Sequence, residues 1–149
     1  MTGFIFFSLR VSMPENKLLT LWAVSLWDFA PTVTIKYLSR MSTAPLLIFC
    51  TLPSRDIALR LAEHLVDQGL AACVNITQPV TSVYRWQEQR ETAEEHLLLI
   101  KTTQQRYTAL QAAILDLHPY ELPEIIAVPV TQGLAGYLDW VEQCTKTTY

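Results

Sequence analysis

The sequence predicts an α+β sandwich with the element order β-α-β-β-α-β and one further helix at its C-terminal end. Three observations carry that expectation. Four stretches of strand length are continuously apolar or alternate strictly. Two longer stretches repeat apolar residues at helical spacing, one after the first strand and one before the last. Finally, 149 residues argue for one domain with a tail rather than two folded units.

Residues 46–51 are apolar without interruption and bounded by Pro45 and Pro53, the mark of a strand buried on both faces. Ser54 is placed to cap a helix in which Ile57, Ala58, Leu61, Ala62 and Leu65 share one face, and Gly69 stands where a C-terminal cap belongs. Residues 70–76 read as a second buried strand. Beyond Pro79, Val80, Ser82, Tyr84 and Trp86 alternate with Thr81, Val83 and Arg85, so that strand continues and becomes unusually long. Residues 87–94 are polar and read as a turn, and residues 96–102 as the third strand of a hairpin. The Thr102-x-x-Gln105 spacing predicts a capping box before a helix with Tyr107, Leu110, Ile114 and Leu117 on one face, ended by Pro119. Residues 124–130 form the fourth strand, at an edge because Pro129 cannot donate to a ladder. Residues 134–144, with Tyr137, Leu138 and Val141 aligned, form the last helix. This is the split βαβ order of a ferredoxin-like sandwich. Two helices cover one sheet face, which leaves the other with apolar side chains that self-association would bury.

Composition narrows the function. Half of the residues are hydrophobic and mean hydropathy is +0.20, which excludes global disorder. A net charge of -3 and a pI near 5.5 argue against nucleic acid as a partner. Four glycines leave no room for a phosphate-binding loop or a dinucleotide fingerprint. Three cysteines without a C-x-x-C pair read as reduced thiols, which points to the cytoplasm. The charge balance changes near Met41: four Lys/Arg against two Asp/Glu before it, seven against twelve from it onward. Residues 1–40 are therefore expected to be an extension, poorly ordered or not natively translated, before a domain at 41–149. Their apolar stretches are shorter than a membrane span. The longer one has the length of a signal-peptide core but is flanked by Glu15 and Asp28 without a clear cleavage site.

No catalytic triad, carboxylate pair or metal-spaced cluster can be assigned from spacing, so the sequence gives an enzyme no support. Cys50, ending the first strand, and His118, ending the second helix, would together suit copper or zinc. As structural residues they would be a small buried hydrophobe and a favourable charge at a helix C-terminus. His64 and His96 read as solvated surface, Cys73 as core, and Glu88, Glu91, Glu94 and Glu95 as a solvated acidic turn. Tyr84 and Trp86 could stack on a ligand, and Tyr120, Glu121, Glu124 and Trp140 could line a pocket; aromatics at alternating strand positions serve more often as packing or subunit interface.

Residues 49–53 (FCTLP), 69–76 (GLAACVNI), 82–86 (SVYRW), 99–102 (LIKT) and 118–126 (HPYELPEII) resemble the CutA family of divalent-cation tolerance proteins. The resemblance covers residues 46–145, with the five motifs in the family's order. The resemblance implies a ferredoxin-like fold similar to the PII signalling proteins and a homotrimer in which long strands of neighbouring subunits pair. It also implies binding of copper or other divalent ions in response to metal, without catalysis. The family's proposed ligands are a Cys in Cys-Thr-x-Pro, matching Cys50, and two His before Pro-Tyr. The second His matches His118, whereas the first falls on Leu117, so water, a carboxylate or a neighbouring subunit would have to complete the site. Glu88 stands where the family commonly has Gly, which predicts a different turn, since a side chain resists positive φ. Two alternatives follow. One is a PII-like regulator that binds a small molecule or anion in inter-subunit clefts, with Tyr84, Trp86, Lys101 and Glu121 near the cleft edges. The other is a trimeric scaffold that anchors another protein through residues 1–40.

Overall fold

Proline residues at both ends isolate the first strand, and the rest of the fold is built around it. In the computed structural model, which describes residues 43–146, this strand is β1 (Pro45–Leu52). It is followed by α1 (Arg55–Asp67), β2 (Cys73–Trp86), β3 (Gln89–Thr103), α2 (Tyr107–Leu117), β4 (Ile126–Pro129) and α3 (Ala135–Cys144). The readings made for residues 1–40 and for Met41 lie outside the described residues. The sheet order is β2-β3-β1-β4 with every neighbouring pair antiparallel. This is the ferredoxin-like sandwich with its additional helix. Pro129 lies on the edge strand β4, where a missing N–H does least harm.

Strict alternation in β1 sends Leu46, Ile48, Cys50 and Leu52 into the core and leaves Leu47, Phe49 and Thr51 half-buried on the second face. The core pairs that first set with Leu98 and Ile100 of β3, then covers it with Ala58, Leu61 and Leu65 of α1 and Leu110 and Ile114 of α2. Ser54 caps α1: its backbone is extended and its hydroxyl accepts the Ile57 N–H at 3.4 Å. Gly69, at φ +60°, ends that helix in the left-handed region, and its N–H donates to Val66 O at 2.9 Å.

A bulge between Ile76 and Pro79 divides β2. Proline removes a ladder donor there, and the bulged backbone finds side-chain partners instead: Thr77 Oγ1 accepts the Leu97 N–H at 3.1 Å, and Thr77 O pairs with His96 Nδ1 at 3.0 Å. The shifted register places Val80, Ser82, Tyr84 and Trp86 opposite Glu95, Ala93, Glu91 and Gln89, all on the second sheet face. Covering the far end of that face is α3, through buried Val141 and a 3.3 Å contact between the Thr103 and Thr145 hydroxyls.

Several sequence expectations are corrected. The turn is only Gln87 and Glu88; Glu91, Glu94 and Glu95 belong to β3, because a ribbon solvated on both faces has no apolar alternation to reveal it. Glu88 takes φ 65° and Gln87 φ 45°, so both accept the positive-φ turn despite carrying side chains. No capping box forms: Thr102 remains in β3 and donates to Leu70 O at 2.6 Å, while Arg106 precedes α2 without a side-chain cap. Leu117 is 43% exposed rather than on the buried face. Cys73 is half-buried beside Lys101 Nζ, 3.8 Å from its sulfur, and is not core. His96 is half-buried against Thr77 and is not solvated surface.

Candidate functional site

The chain that leaves α2 crosses the end of β1 on its way to β4, and that crossing brings His118 to Thr51. The His118 side chain is 8% exposed; its Nε2–H donates to Thr51 O at 2.8 Å, and its Nδ1 accepts the Tyr120 N–H at 3.1 Å. A ring that accepts at Nδ1 is the neutral Nε2–H tautomer, so the charge expected at the helix end is replaced by a backbone clasp. Cys50 is fully buried on the helix-covered face of β1. Burial pushes its thiol up to about 12, with the Glu124 and Glu95 carboxylates adding to the rise. A copper or other divalent ion needs a thiolate and a free imidazole lone pair. His118 as folded has both ring nitrogens engaged and leaves no imidazole lone pair free, so the pair does not fit the ion while that clasp is closed. Among the described residues, no three His, Cys, Asp or Glu side chains converge as a metal site.

On the opposite face of the sheet a cavity of about 710 Å³ opens where the β2–β3 hairpin leaves the sheet body. Its floor is Thr51 and Glu95, its hairpin wall Ser82, Val83, Tyr84 and Trp86, and its outer wall Pro119, Tyr120, Glu121, Leu122 and Glu124. Glu95 lies on the same face as Leu97 and Leu99 and is only 5% exposed. Burial first, then the hydrogen-bonding influence and the charge of this carboxylate, push the Tyr120 hydroxyl up to about 12. The ring of Tyr120 also packs on His118, with centroids 5.1 Å apart and planes at 60°, so the clasp and the cavity wall are mechanically one unit.

Of the residues predicted as cleft candidates, Tyr84, Trp86, Tyr120 and Glu121 come together here. Lys101 does not: it sits on the same face at the other end, against Asn75 Oδ1, Cys73 and Leu99 O. Trp140 does not either, lying on α3 beside Tyr137 with centroids 5.4 Å apart. Glu124, also expected to line a pocket, joins the cavity residues, whereas Glu95, read from the sequence as part of the acidic turn, is a lining residue that the pattern missed. The available signal for Glu95 was its period-two alignment with Leu97 and Leu99, which places a carboxylate on a face otherwise apolar.

Comparison with known proteins assigns a relationship to this geometry. A family model described as "CutA1 divalent ion tolerance protein" matches residues 46–144. The "Divalent-cation tolerance protein CutA" of Thermus thermophilus is 43% identical over 99 residues, 66% of this chain and 96% of that protein. The human "Protein CutA" is 41% identical over 99 residues, 66% of this chain but 55% of the longer human protein. Among solved structures, the Thermus thermophilus divalent cation tolerance protein superposes with a TM-score of 0.67 at 42% identity, over 68% of this chain and 99% of that one. CutA1 from Oryza sativa does so with a TM-score of 0.68 at 36% identity, over 72% and 100% of the two chains.

Proposed function

Since this chain belongs to the CutA1 family of divalent ion tolerance proteins, we propose that it acts as a cytoplasmic homotrimer in tolerance of copper or another divalent ion, without catalysing a reaction. The observation that carries the trimer is the length of the hairpin. Strands of 14 and 15 residues run well past the four-stranded body, and Val80, Val83, Tyr84 and Trp86 are exposed along the projecting part. A two-stranded ribbon is marginal in water by itself. The edge of β2 has unpaired backbone groups to offer a neighbouring copy, and the second face adds Leu47, Phe49, Ile126 and Val128 to what that copy would bury. Three free thiols and no disulfide among the described residues suit a reducing compartment.

Metal handling in this reading does not run through a preformed Cys50–His118 centre, because both residues are committed to the fold. Sedimentation equilibrium of the full chain at micromolar concentration is expected to give three times the monomer mass; a folded monomer overturns the trimer. A competitive copper(I) titration under reducing conditions is expected to give affinities within about threefold for the parent and for a folded Cys50→Ser, His118→Gln variant, a difference of about 0.7 kcal/mol. A loss of a hundredfold or more in that variant returns the ligands to the pair.

A further inference from the structure

Cys73 and Lys101 face each other across the base of the β2–β3 hairpin, as direct partners in the antiparallel register. Lys101 Nζ lies 3.8 Å from Cys73 Sγ, held there by hydrogen bonds to Asn75 Oδ1 and, at 3.1 Å, to Leu99 O. We propose that this pair is a reversible oxidative modification site, in which hydrogen peroxide converts Cys73 to a sulfenic acid and Lys101 captures it as a covalent sulfenamide joining β2 to β3.

The chemistry balances step by step. The Cys73 sulfur attacks a peroxide oxygen as the O–O bond breaks, giving the sulfenic acid and water; sulfur is oxidised by two electrons and the peroxide is reduced. Lys101 Nζ, once it has lost its ammonium proton, attacks that sulfur; the S–O bond breaks, and the hydroxyl leaves as water with a further proton from Nζ. A thiol such as glutathione reverses the link by displacing the amine from sulfur, and a second thiol resolves the mixed disulfide, so the two thiols are oxidised as Cys73 is reduced. Placement favours the amine over a second peroxide. The chain is pinned beside the pair: Ala72 N–H donates to Lys101 O at 2.8 Å, and Thr102 Oγ1 donates to Leu70 O at 2.6 Å. A nucleophile held in contact has a large effective concentration over one that must diffuse in. Tyr137 of α3 is a further neighbour, its hydroxyl pushed up by burial first and then by Cys73. The other described thiols are placed differently: Cys50 is buried on the opposite face of the sheet, and Cys144 ends α3. The contact is made within one chain, so the inference is independent of the metal reading and of any copy that covers this face.

The reduced full chain would be treated with hydrogen peroxide in excess EDTA, its remaining thiols blocked and its tryptic peptides mapped by mass spectrometry. The expected product joins the peptide carrying Cys73 to the peptide carrying Lys101, lighter by two hydrogens than the two together and no longer cleaved after Lys101. Glutathione is expected to restore both peptides. Lys101→Arg keeps a positive charge and hydrogen-bond donors at the site but removes the nucleophilic amine, so the link is expected to disappear and Cys73 sulfinic acid to rise about tenfold. Cys73→Ser is expected to leave cleavage after Lys101 unaffected by peroxide. Should either variant fail to fold, the product formed by the parent chain still decides. Cys73 passing to sulfinic acid in the parent without any link to Lys101 overturns the proposal. So does a disulfide between Cys73 and Cys144 as the main product, or a Cys73 left unmodified by peroxide that oxidises Cys144.

Discussion

The β2–β3 hairpin is two different structures joined at a bulge. Its proximal half, residues 73–76 against 98–101, lies in the sheet body, where Ile100 and Leu98 are sealed between β1 and the two helices. Its distal half, residues 80–86 against 89–95, has the same backbone pairing but leaves Val83 63% exposed and Trp86 42% exposed. In the first half the side chains on the helix-covered face, Val74, Ile76, Leu98 and Ile100, find their cover within the chain. In the second the cover must come from outside, so the proximal half specifies the fold and the distal half specifies what the fold meets.

The comparison breaks if both halves respond alike to substitution. Ile100→Ala in the proximal half is expected to cost about 4 kcal/mol, through lost transfer energy and the cavity left behind. Urea denaturation would show that loss as a constant decrement at every protein concentration. Val83→Ser in the distal half should change the stability of a dissociated chain by less than about 0.5 kcal/mol, yet lower the midpoint where chains associate. An equal loss for Val83→Ser in dilute and concentrated solution would remove the distinction.

This division also explains what could be read from sequence. In β1, α1 and the proximal strands, apolar periodicity is the direct imprint of the core, and Ile48, Leu61 and Leu98 announce their faces by spacing alone. The alternation of Val80, Ser82, Tyr84 and Trp86 announced the distal part of β2 for the same reason. Residues 89–95 gave no such signal, because Arg90, Glu91, Thr92 and Glu94 are polar on both faces and only pairing with β2 makes them a strand. The pocket was legible in part. Periodicity showed which face Tyr84, Trp86 and Lys101 occupy, but not that Lys101 lies at the opposite end of it. Burial of Glu95 comes from residues 119–124 folding over it across a gap of more than twenty positions in the chain, and no local pattern encodes that contact.

His118 sharpens the comparison where body and cavity meet. His118→Ala leaves Thr51 O and the Tyr120 N–H without their partner and is expected to cost about 2 kcal/mol. Trp86 fluorescence and the melting temperature, measured together, would separate loss of the clasp from loss of the cavity wall. Cys50 gives a smaller effect with a defined sign. The folded chain holds the thiol proton up to about 12 against an ordinary value of 9.0, so between those values it binds more protons than the unfolded chain. Stability that is complete below pH 9 is therefore lost as pH rises, by up to about 1.4 kcal/mol per pH unit. Tyr120, also raised, contributes in the same direction from pH 10. Denaturation curves at pH 8, 9 and 10 should show the decline beginning near 9, and Cys50→Ala should flatten it. A decline of unchanged slope in that variant would place its origin in another group.

The smallest expected effect lies at the tip of the distal half. Gln87 and Glu88 form the two-residue turn with φ of 45° and 65°, the left-handed region in which a Cβ crowds the following carbonyl. The twist of the flanking strands demands this geometry, so the turn adopts it at a conformational cost rather than opening. Glu88→Gly removes that crowding but returns entropy to the unfolded chain, and the two terms oppose each other. The balance should favour the folded state by about 0.7 kcal/mol, a rise of a few degrees in melting temperature. Gly136, inside α3, provides the reverse case: a Cβ there meets nothing within 4 Å, so Gly136→Ala should stabilise through helix propensity by about the same amount. If Gly136→Ala raises the melting temperature while Glu88→Gly lowers it, the turn is held by its Glu88 side chain and not merely endured. The tip of the hairpin would then belong with the specified body and not with the half that awaits a partner.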